Sequence, residues 1–450
     1  MKGRFARVPH VIIHRIGAGA RATVAALLVL LAVSPAGAQQ AVTRGEAARA
    51  ALSAGSRVAL ARADTAAAMA RLLTARALPN PTLAASYSKA TPQKHITLDV
   101  PLLDAFWTRG LRMNQASASA RASRLLYASE RVAALVEVDT TYTRALAADA
   151  RFRLSRQTAR DADSLRKMTV ARRDAGDASD LDVDLATVVS GQQLNVTTGD
   201  SLSYMSALLT VQTLMGLPAD SVAIVLADSL ALVPPDTISV RQSLDNGAMI
   251  ILVPPSVGAT TTTSSGVSQT TGTGTTPSVA AAQATVQAAE LGVALQQRSS
   301  FVLPSLSIGV EFGDPSGSEP GYLPLIGLAV PIPLFNRNQG PIAEARAERD
   351  KAVVQLSAAR LEARQRLIEA VRERDQLIAR VARDRDLVVR AQRVADRSLT
   401  AYREGASALP AVLEASRSAR EVLGQYIDDL AALLTVNTEL RALTQNAPVP

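Results

Sequence analysis

The chain of 450 residues has no cysteine, only three histidines and 3% aromatic residues. Without thiols there is no disulfide bracing, no thiol catalysis and no cysteine to carry a lipid, so stability must come from packing or association. Two histidines, His10 and His14, precede the first apolar run, which leaves His95 as the one beyond it. A transition-metal ligand set or a Ser-His-Asp triad needs more than that. His95 opens an apparent strand and reads as an ordinary surface histidine. No Asp/Glu pair falls in a pocket-forming context, so an enzyme is not expected, and neither is a cofactor or a metal. Scarce aromatics beside abundant alanine, leucine, valine and arginine point to long packed helices.

Long hydrophobic runs are missing with one exception, ATVAALLVLLAV at 22–33. It is too short to span a membrane comfortably. Lys2, Arg4, Arg7, Arg15 and Arg21 precede it, and Pro35 with Ala36, Gly37 and Ala38 follows, so residues 1–38 are expected to be a secretory signal cleaved before Gln39. That segment holds five of the 48 Lys and Arg residues and none of the 40 Asp and Glu, leaving 43 against 40 and a net charge of +3. A nucleic-acid partner loses its electrostatic support. The Arg-rich stretch 346–403 is interleaved with Asp and Glu, as a solvated, ion-paired helix face would be.

Proline is absent from 108–175, and glycine occurs there only at Gly110. A helix of that length is a rod of about 100 Å. Ahead of it, Thr43 and Glu46 have the spacing of a capping box and open an Ala-rich helix to about Ala77, stopped by Pro79 and Pro81. Two strands are then expected within 78–107: Leu83, Ala85 and Tyr87 alternate in the first, and Ile96, Leu98, Val100 and Leu102 in the second. After the rod, Gly176 breaks the helix, Ser179 with Asp182 caps a returning one, and this ends at Gly216, Leu217 and Pro218. The rod and its return form a long antiparallel hairpin.

The same order then recurs. A helix from 279 leads to a strand pair at 303–335, with Leu306, Ile308, Val310 and Phe312 in one strand and Ile326, Leu328, Val330, Ile332 and Leu334 in the other. Pro331 and Pro333 fit a strand end or sheet rim. Pro341 suits a helix first turn, an apolar stripe runs through Leu367, Val371, Leu377, Val381, Leu387 and Val394, and Gly405 breaks the second hairpin. Ser407 is a candidate cap for a last helix from about Pro410 to Leu443. The expected organisation is signal 1–38, first repeat 39–218, an irregular and Ser/Thr/Gly-rich linker 219–278, second repeat 279–445 and tail 446–450.

Four strands with one apolar and one polar or small face have the alternation of transmembrane strands, yet four cannot close a barrel, and open edges are not tolerated in lipid. Three copies would share twelve strands, and their six helical hairpins would continue as an α-helical cylinder. The expected fold class is mainly α with membrane β: a duplicated strand pair plus long helical hairpin, forming a trimeric 12-stranded β-barrel continued by an α-helical barrel. Tyr87, Phe106, Trp107, Tyr322 and Phe335 lie in or beside the strands, as interface anchors would.

This order, twice over, resembles the TolC-type outer membrane efflux proteins, the exit ducts of tripartite pumps and type I secretion systems. The motifs that carry it are Leu78-Pro79 and Leu303-Pro304 before each first strand, Val100-Pro101 and Val330-Pro331 at each second strand, the Leu214 to Pro218 helix ending, and the glycines at 176 and 405. The resemblance covers the chain beyond the signal apart from 219–278. It implies a homotrimeric duct in the cell outer membrane and its lipid, extending into the periplasm, with a periplasmic adaptor and an inner-membrane pump as partners and passive movement of substrate. The alternative from another class is a periplasmic coiled-coil adaptor or structural protein without a channel.

The resemblance also places the working parts at the two hairpin tips. Tyr402 and Asp182 occupy the positions of a tyrosine and an aspartate that hold the family's closed iris. Glu414 matches the second of two acidic constriction residues, while the first falls on Ala411. A basic residue expected soon after Gly405 is replaced by Ser407. Gly176, Ala178, Gly405 and Ala406 are the small residues on which an adaptor hairpin would dock. For the gate residues the alternative is an ordinary solvated tip, and for the glycines simple helix termination.

Overall fold

The computed structural model describes residues 40–89, 92–100, 102–230, 276–301, 304–313, 321–330, 332 and 335–444. The expected signal 1–38, most of the Ser/Thr/Gly-rich run, Leu303, Pro331, Pro333 and the tail lie outside the described residues. In chain order the elements are β1 (Gln40–Val42), α1 (Arg44–Ala54), α2 (Ser56–Arg76), β2 (Thr82–Tyr87), β3 (Lys94–Val100), α3 (Leu102–Asp174), α4 (Asp180–Leu214), β4 (Ile224–Leu226), α5 (Pro277–Arg298), β5 (Ser305–Phe312), β6 (Leu323–Ala329), α6 (Gln339–Arg403) and α7 (Leu409–Thr444).

The capping box that opens α1 forms as its spacing requires: the Thr43 backbone N–H donates to Glu46 Oε2 at 2.9 Å, and the Glu46 N–H to Thr43 Oγ1 at 3.3 Å. The single helix expected to Ala77 is two helices. Gly55 leaves the helical region, at φ −60° and ψ 135°, and a side chain there would meet the Ala51 carbonyl oxygen at 2.3 Å. Arg57, just past the break, pairs with Glu130 and Glu137 on α3 and fixes the direction of α2.

The sheet order is β2-β3-β5-β6, antiparallel throughout. Leu83 faces Leu98, Leu98 faces Ile308, and Ile308 faces Ile326, so one row of apolar residues runs across all four strands on an exposed face. The opposite face carries His95, Thr97, Asp99, Ser307 and Glu311, which alternation places there. Where β3 and β5 approach, a side chain at Gly309 would lie 2.6 Å from the Ile96 carbonyl oxygen, and where β5 and β6 approach, one at Gly327 would lie 2.3 Å from Ser307 Oγ. The strand expected to continue to Trp107 ends at Val100, and α3 begins at Leu102. Short apolar runs such as Leu102, Leu103 and Phe106 satisfy helical as well as strand spacing. Within the described chain β2 and β6 are the two edges of this sheet.

Below the sheet, α3 runs 73 residues, about 110 Å, and packs against α2, α4, α5 and α7. The helix layer α2-α3-α5-α6 repeats the strand order above it, and α4 and α7 return alongside α3 and α6. No described helix is long and apolar enough to cross a membrane.

A waist midway along α3 holds the largest apolar cluster, with Tyr142, Leu146, Leu208, Val211, Ile224 and Leu226 among its members. Here the expected linker is corrected: residues 219–230 are structured, and β4 pairs in parallel with β1, Val42 opposite Leu226. Three strand residues are too few to show a period, which is why the pattern hid them. Gln212, 1% exposed, staples the segment by donating from Nε2 to the Ser221 carbonyl at 3.0 Å and accepting from the Ala223 N–H at 3.1 Å. The Tyr142 hydroxyl lies 2.8 Å from the Val42 carbonyl and 2.9 Å from Asp228 Oδ2. Burial, and after it the Asp228 carboxylate, push this phenol above its ordinary range.

Candidate functional site at the hairpin tips

Both tips are built by the same backbone device. Gly176 stands at φ +87° and Gly405 at φ +76°. At the first tip the Asp177 N–H donates to the Arg172 carbonyl and the Gly176 N–H to that of Arg173, both at 2.8 Å. At the second, Ala406 donates to Ala401 at 2.8 Å and Gly405 to Tyr402 at 3.1 Å. These paired bonds are a Schellman ending, which needs a left-handed residue where the two glycines stand. Gly176, Gly405 and Ala406 are exposed and Ala178 is half-buried. A side chain at Gly176 would have nothing within 4 Å, so the glycine serves the backbone angle rather than space.

The exits differ. Ser179 and Asp182 form a reciprocal cap: Asp182 Oδ2 accepts from the Ser179 N–H at 3.1 Å and from its hydroxyl at 2.8 Å, and the Asp182 N–H returns a bond to Ser179 Oγ. Ser407, the expected cap of the last helix, does not serve as one. Its hydroxyl turns to the Ala408 carbonyl at 3.5 Å, and α7 starts at Leu409, with the Ala411 N–H reaching back to Ala408.

Tyr402 is the centre of the tip. It is 3% exposed and packs with Leu165, Ala186, Leu409 and Val412, one residue from each of the other two hairpin helices of the tip and two from its own partner helix. Its hydroxyl lies 3.2 Å from Thr169 Oγ1, which is fully buried and spends its own proton on the Leu165 carbonyl at 2.9 Å. The tyrosine is therefore the donor. Arg172, one turn further along α3, donates from Nη1 to the Tyr402 carbonyl at 2.7 Å and lies over the Tyr402 ring at 4.7 Å from its centroid. A guanidinium there meets the negative end of α6.

The expected pairing of Tyr402 with Asp182 is thus not what this chain forms. Asp182 caps its own helix, and Thr169 with Arg172 joins Tyr402 to the first tip. The cation missing after Gly405 is supplied from the other repeat, with Arg172 Nη2 3.8 Å from where a Gly405 side chain would begin. Glu414 is exposed one turn before Arg417, whose charged form it favours after the closer Glu421; Ala411 is exposed as well. Thr169 and Arg172 escaped sequence reasoning. An arginine in the last turn before a helix-ending glycine was the available signal.

At the far end of the molecule His95 Nδ1 lies 3.0 Å from Glu311 Oε1 on the polar face of the sheet, so the surface histidine has a cross-strand partner. Tyr87, Tyr322 and Phe335 are well exposed beside the strands, Trp107 lies under Arg298 at 3.6 Å, and the Phe106 side chain lies outside the described residues.

The chain is thus an open four-stranded sheet with an exposed apolar row, continued by paired helical hairpins in the same order. Residues 274–445 match the family model described as outer membrane efflux protein. Among solved structures the chain is similar to the outer membrane protein VceC of Vibrio cholerae, at 16% identity and a TM-score of 0.67 over 90% of this chain and 96% of that one. It is also similar to the CmeC outer membrane channel of Campylobacter jejuni, at 13% identity and a TM-score of 0.69 over 89% and 85% of the two chains. The open state of the MtrE outer membrane channel of Neisseria gonorrhoeae matches at 14% identity and a TM-score of 0.62, over 89% and 88%. No curated protein sequence matches the chain. The resemblance to TolC-type outer membrane efflux proteins rests on two separate likenesses, of sequence over the second repeat and of fold over about nine-tenths of the chain.

Proposed function

We propose that this protein is the outer-membrane exit duct of a tripartite efflux pump, a homotrimer that passes substrate from periplasm to exterior while an inner-membrane pump supplies the energy through a periplasmic adaptor. The observation that carries this reading is the sheet. Its apolar row is exposed, its other face is polar or small across β2, β3 and β5, and β2 and β6 are edges that lipid would leave unsatisfied. Three such sheets joined edge to edge make twelve strands with a polar lumen. The hairpins below then form a cylinder whose tips approach the threefold axis.

At those tips we assign the gate to Tyr402, Asp182 and Glu414. In this reading Tyr402 ties the second hairpin to the first, Asp182 fixes the start of the returning helix, and three copies of Glu414 attract cations. Gly176, Ala178, Gly405 and Ala406 form the small-residue surface for an adaptor hairpin. The test is fractionation and conductance: heat-modifiable trimers in outer-membrane fractions and discrete channels in planar bilayers are expected. A soluble monomer without channel activity would overturn the duct and favour a periplasmic coiled-coil protein.

A further inference from the structure

A buried carboxylate and a half-buried one meet partway down the second hairpin. Asp384 on α6 and Asp429 on α7 each have one oxygen, Oδ2, shut off from solvent and without a hydrogen-bond partner among the described residues. The Asp429 side chain is only 6% exposed. Its other oxygen is well served, accepting from Arg380 Nη2 at 2.8 Å and from Gln425 Nε2 at 3.0 Å. The layer separates two apolar zones. Toward the waist stand Ala370, Leu377, Val381, Leu433, Val436 and Leu440, and toward the tip Tyr402, Leu409 and Val412.

Of the two arginines that act on the pair, one forms an ion pair with it. Arg380 is bonded to Asp429, and Arg383 acts on Asp384 only through space. Asp428, the neighbour on α7, turns to Arg151 of α3, with Arg151 Nε 2.8 Å from Asp428 Oδ1. Two orphan acceptors cannot satisfy each other, and leaving both ionised and dry is costly. One hydrogen between them satisfies both.

We propose that Asp384 and Asp429 hold one proton between them, so that a carboxyl O–H of Asp384 donates to the Asp429 carboxylate and pins α6 to α7 at this layer. No other bond forms or breaks, and the proton exchanges with solvent. Asp384 is the carrier because Asp429 already accepts from Arg380 and Gln425, while burial, the hydrogen bond to Asp429 and the Asp429 charge, in that order, raise the Asp384 carboxyl above its ordinary value. A raised acid stabilises the fold below the ordinary aspartate range, and that contribution is lost as pH rises through the raised value. The hairpin is therefore held tightest below the ordinary aspartate range and loosens, at a polar layer well above the tip, as the proton leaves.

The test is infrared spectroscopy of the full chain in detergent with isotope-labelled aspartate, which reads the proton whether or not the protein conducts. A protonated carboxyl stretch is expected to persist above the ordinary aspartate range, to fade as pH rises further, and to be absent from Asp384→Asn. In the same variant the amide donor replaces the O–H, so the denaturation midpoint should lose the fall with rising pH seen in the parent. Asp429→Asn should abolish the titration too. No protonated band above the ordinary aspartate range, a band that persists in both variants, or a carboxylate band that shifts on adding calcium would overturn the proposal, the last in favour of a metal ion.

Discussion

Thr169 and Tyr402 lie 233 residues apart in sequence and 3.2 Å apart at their hydroxyls, joining the inner ends of the two hairpins inside one chain. Both groups are buried, so the bond is sheltered from competing water. Thr169→Val and Tyr402→Phe should each cost about 1 kcal/mol and should couple by a similar amount in a double-mutant cycle read from denaturation midpoints. Asp182→Ala should also cost about 1 kcal/mol, as a lost cap, but should add independently to Tyr402→Phe. A coupling of Asp182 with Tyr402 as large as that of Thr169 would mean that the carboxylate reaches the tyrosine after all.

Arg172 contributes a charged hydrogen bond and a ring contact at once. Arg172→Ala should destabilise the tip by about 1–3 kcal/mol and, in the proposed duct, raise single-channel conductance. Lysine at this position keeps the charge but not the planar guanidinium, so it should rescue only in part. Conductance unchanged in both variants would show that the contact does not bear on closure.

The glycines at the tips answer to backbone angle. Gly176→Ala and Gly405→Ala should each cost about 1–2 kcal/mol, with asparagine better tolerated than alanine. Thermal midpoints decide this, and a cost near zero would mean the turn relaxes out of the left-handed region.

Gly309 and Gly327 answer to space. A valine at either must displace the neighbouring backbone or side chain, since the first added carbon already falls at 2.6 Å from Ile96 O or 2.3 Å from Ser307 Oγ. In the proposed duct, loss of the heat-resistant trimer on semi-native gels is expected, while the helical content seen by circular dichroism stays near that of the parent.

The parts of this fold that were legible in the sequence are those with long periods. Leu306, Ile308 and Val310 alternate for long enough to announce β5, and the proline-free stretch through α3 announces a rod. Gly55 was passed over because one glycine within an Ala-rich run reads as tolerated, and only the position of the Ala51 carbonyl shows why the chain must turn there. Ile224 and Leu226 were hidden for the opposite reason, as a strand of three residues carries no period. At the tips, family analogy paired Tyr402 with Asp182, whereas the Tyr402 hydroxyl meets Thr169. A hydroxyl on α3 and a tyrosine on α6 share no local pattern, and the cap between Ser179 and Asp182, which is local, had already engaged the aspartate.

The uninterrupted length of α3 has a mechanical consequence. A rod of about 110 Å that tilts by about one degree relative to its neighbour moves its far end by about 2 Å. That displacement is enough to part a hydrogen bond such as the one between Thr169 and Tyr402. The bond at the tip is thus placed at the end of the longest lever the molecule has, where the smallest angular disturbance near the sheet is felt most.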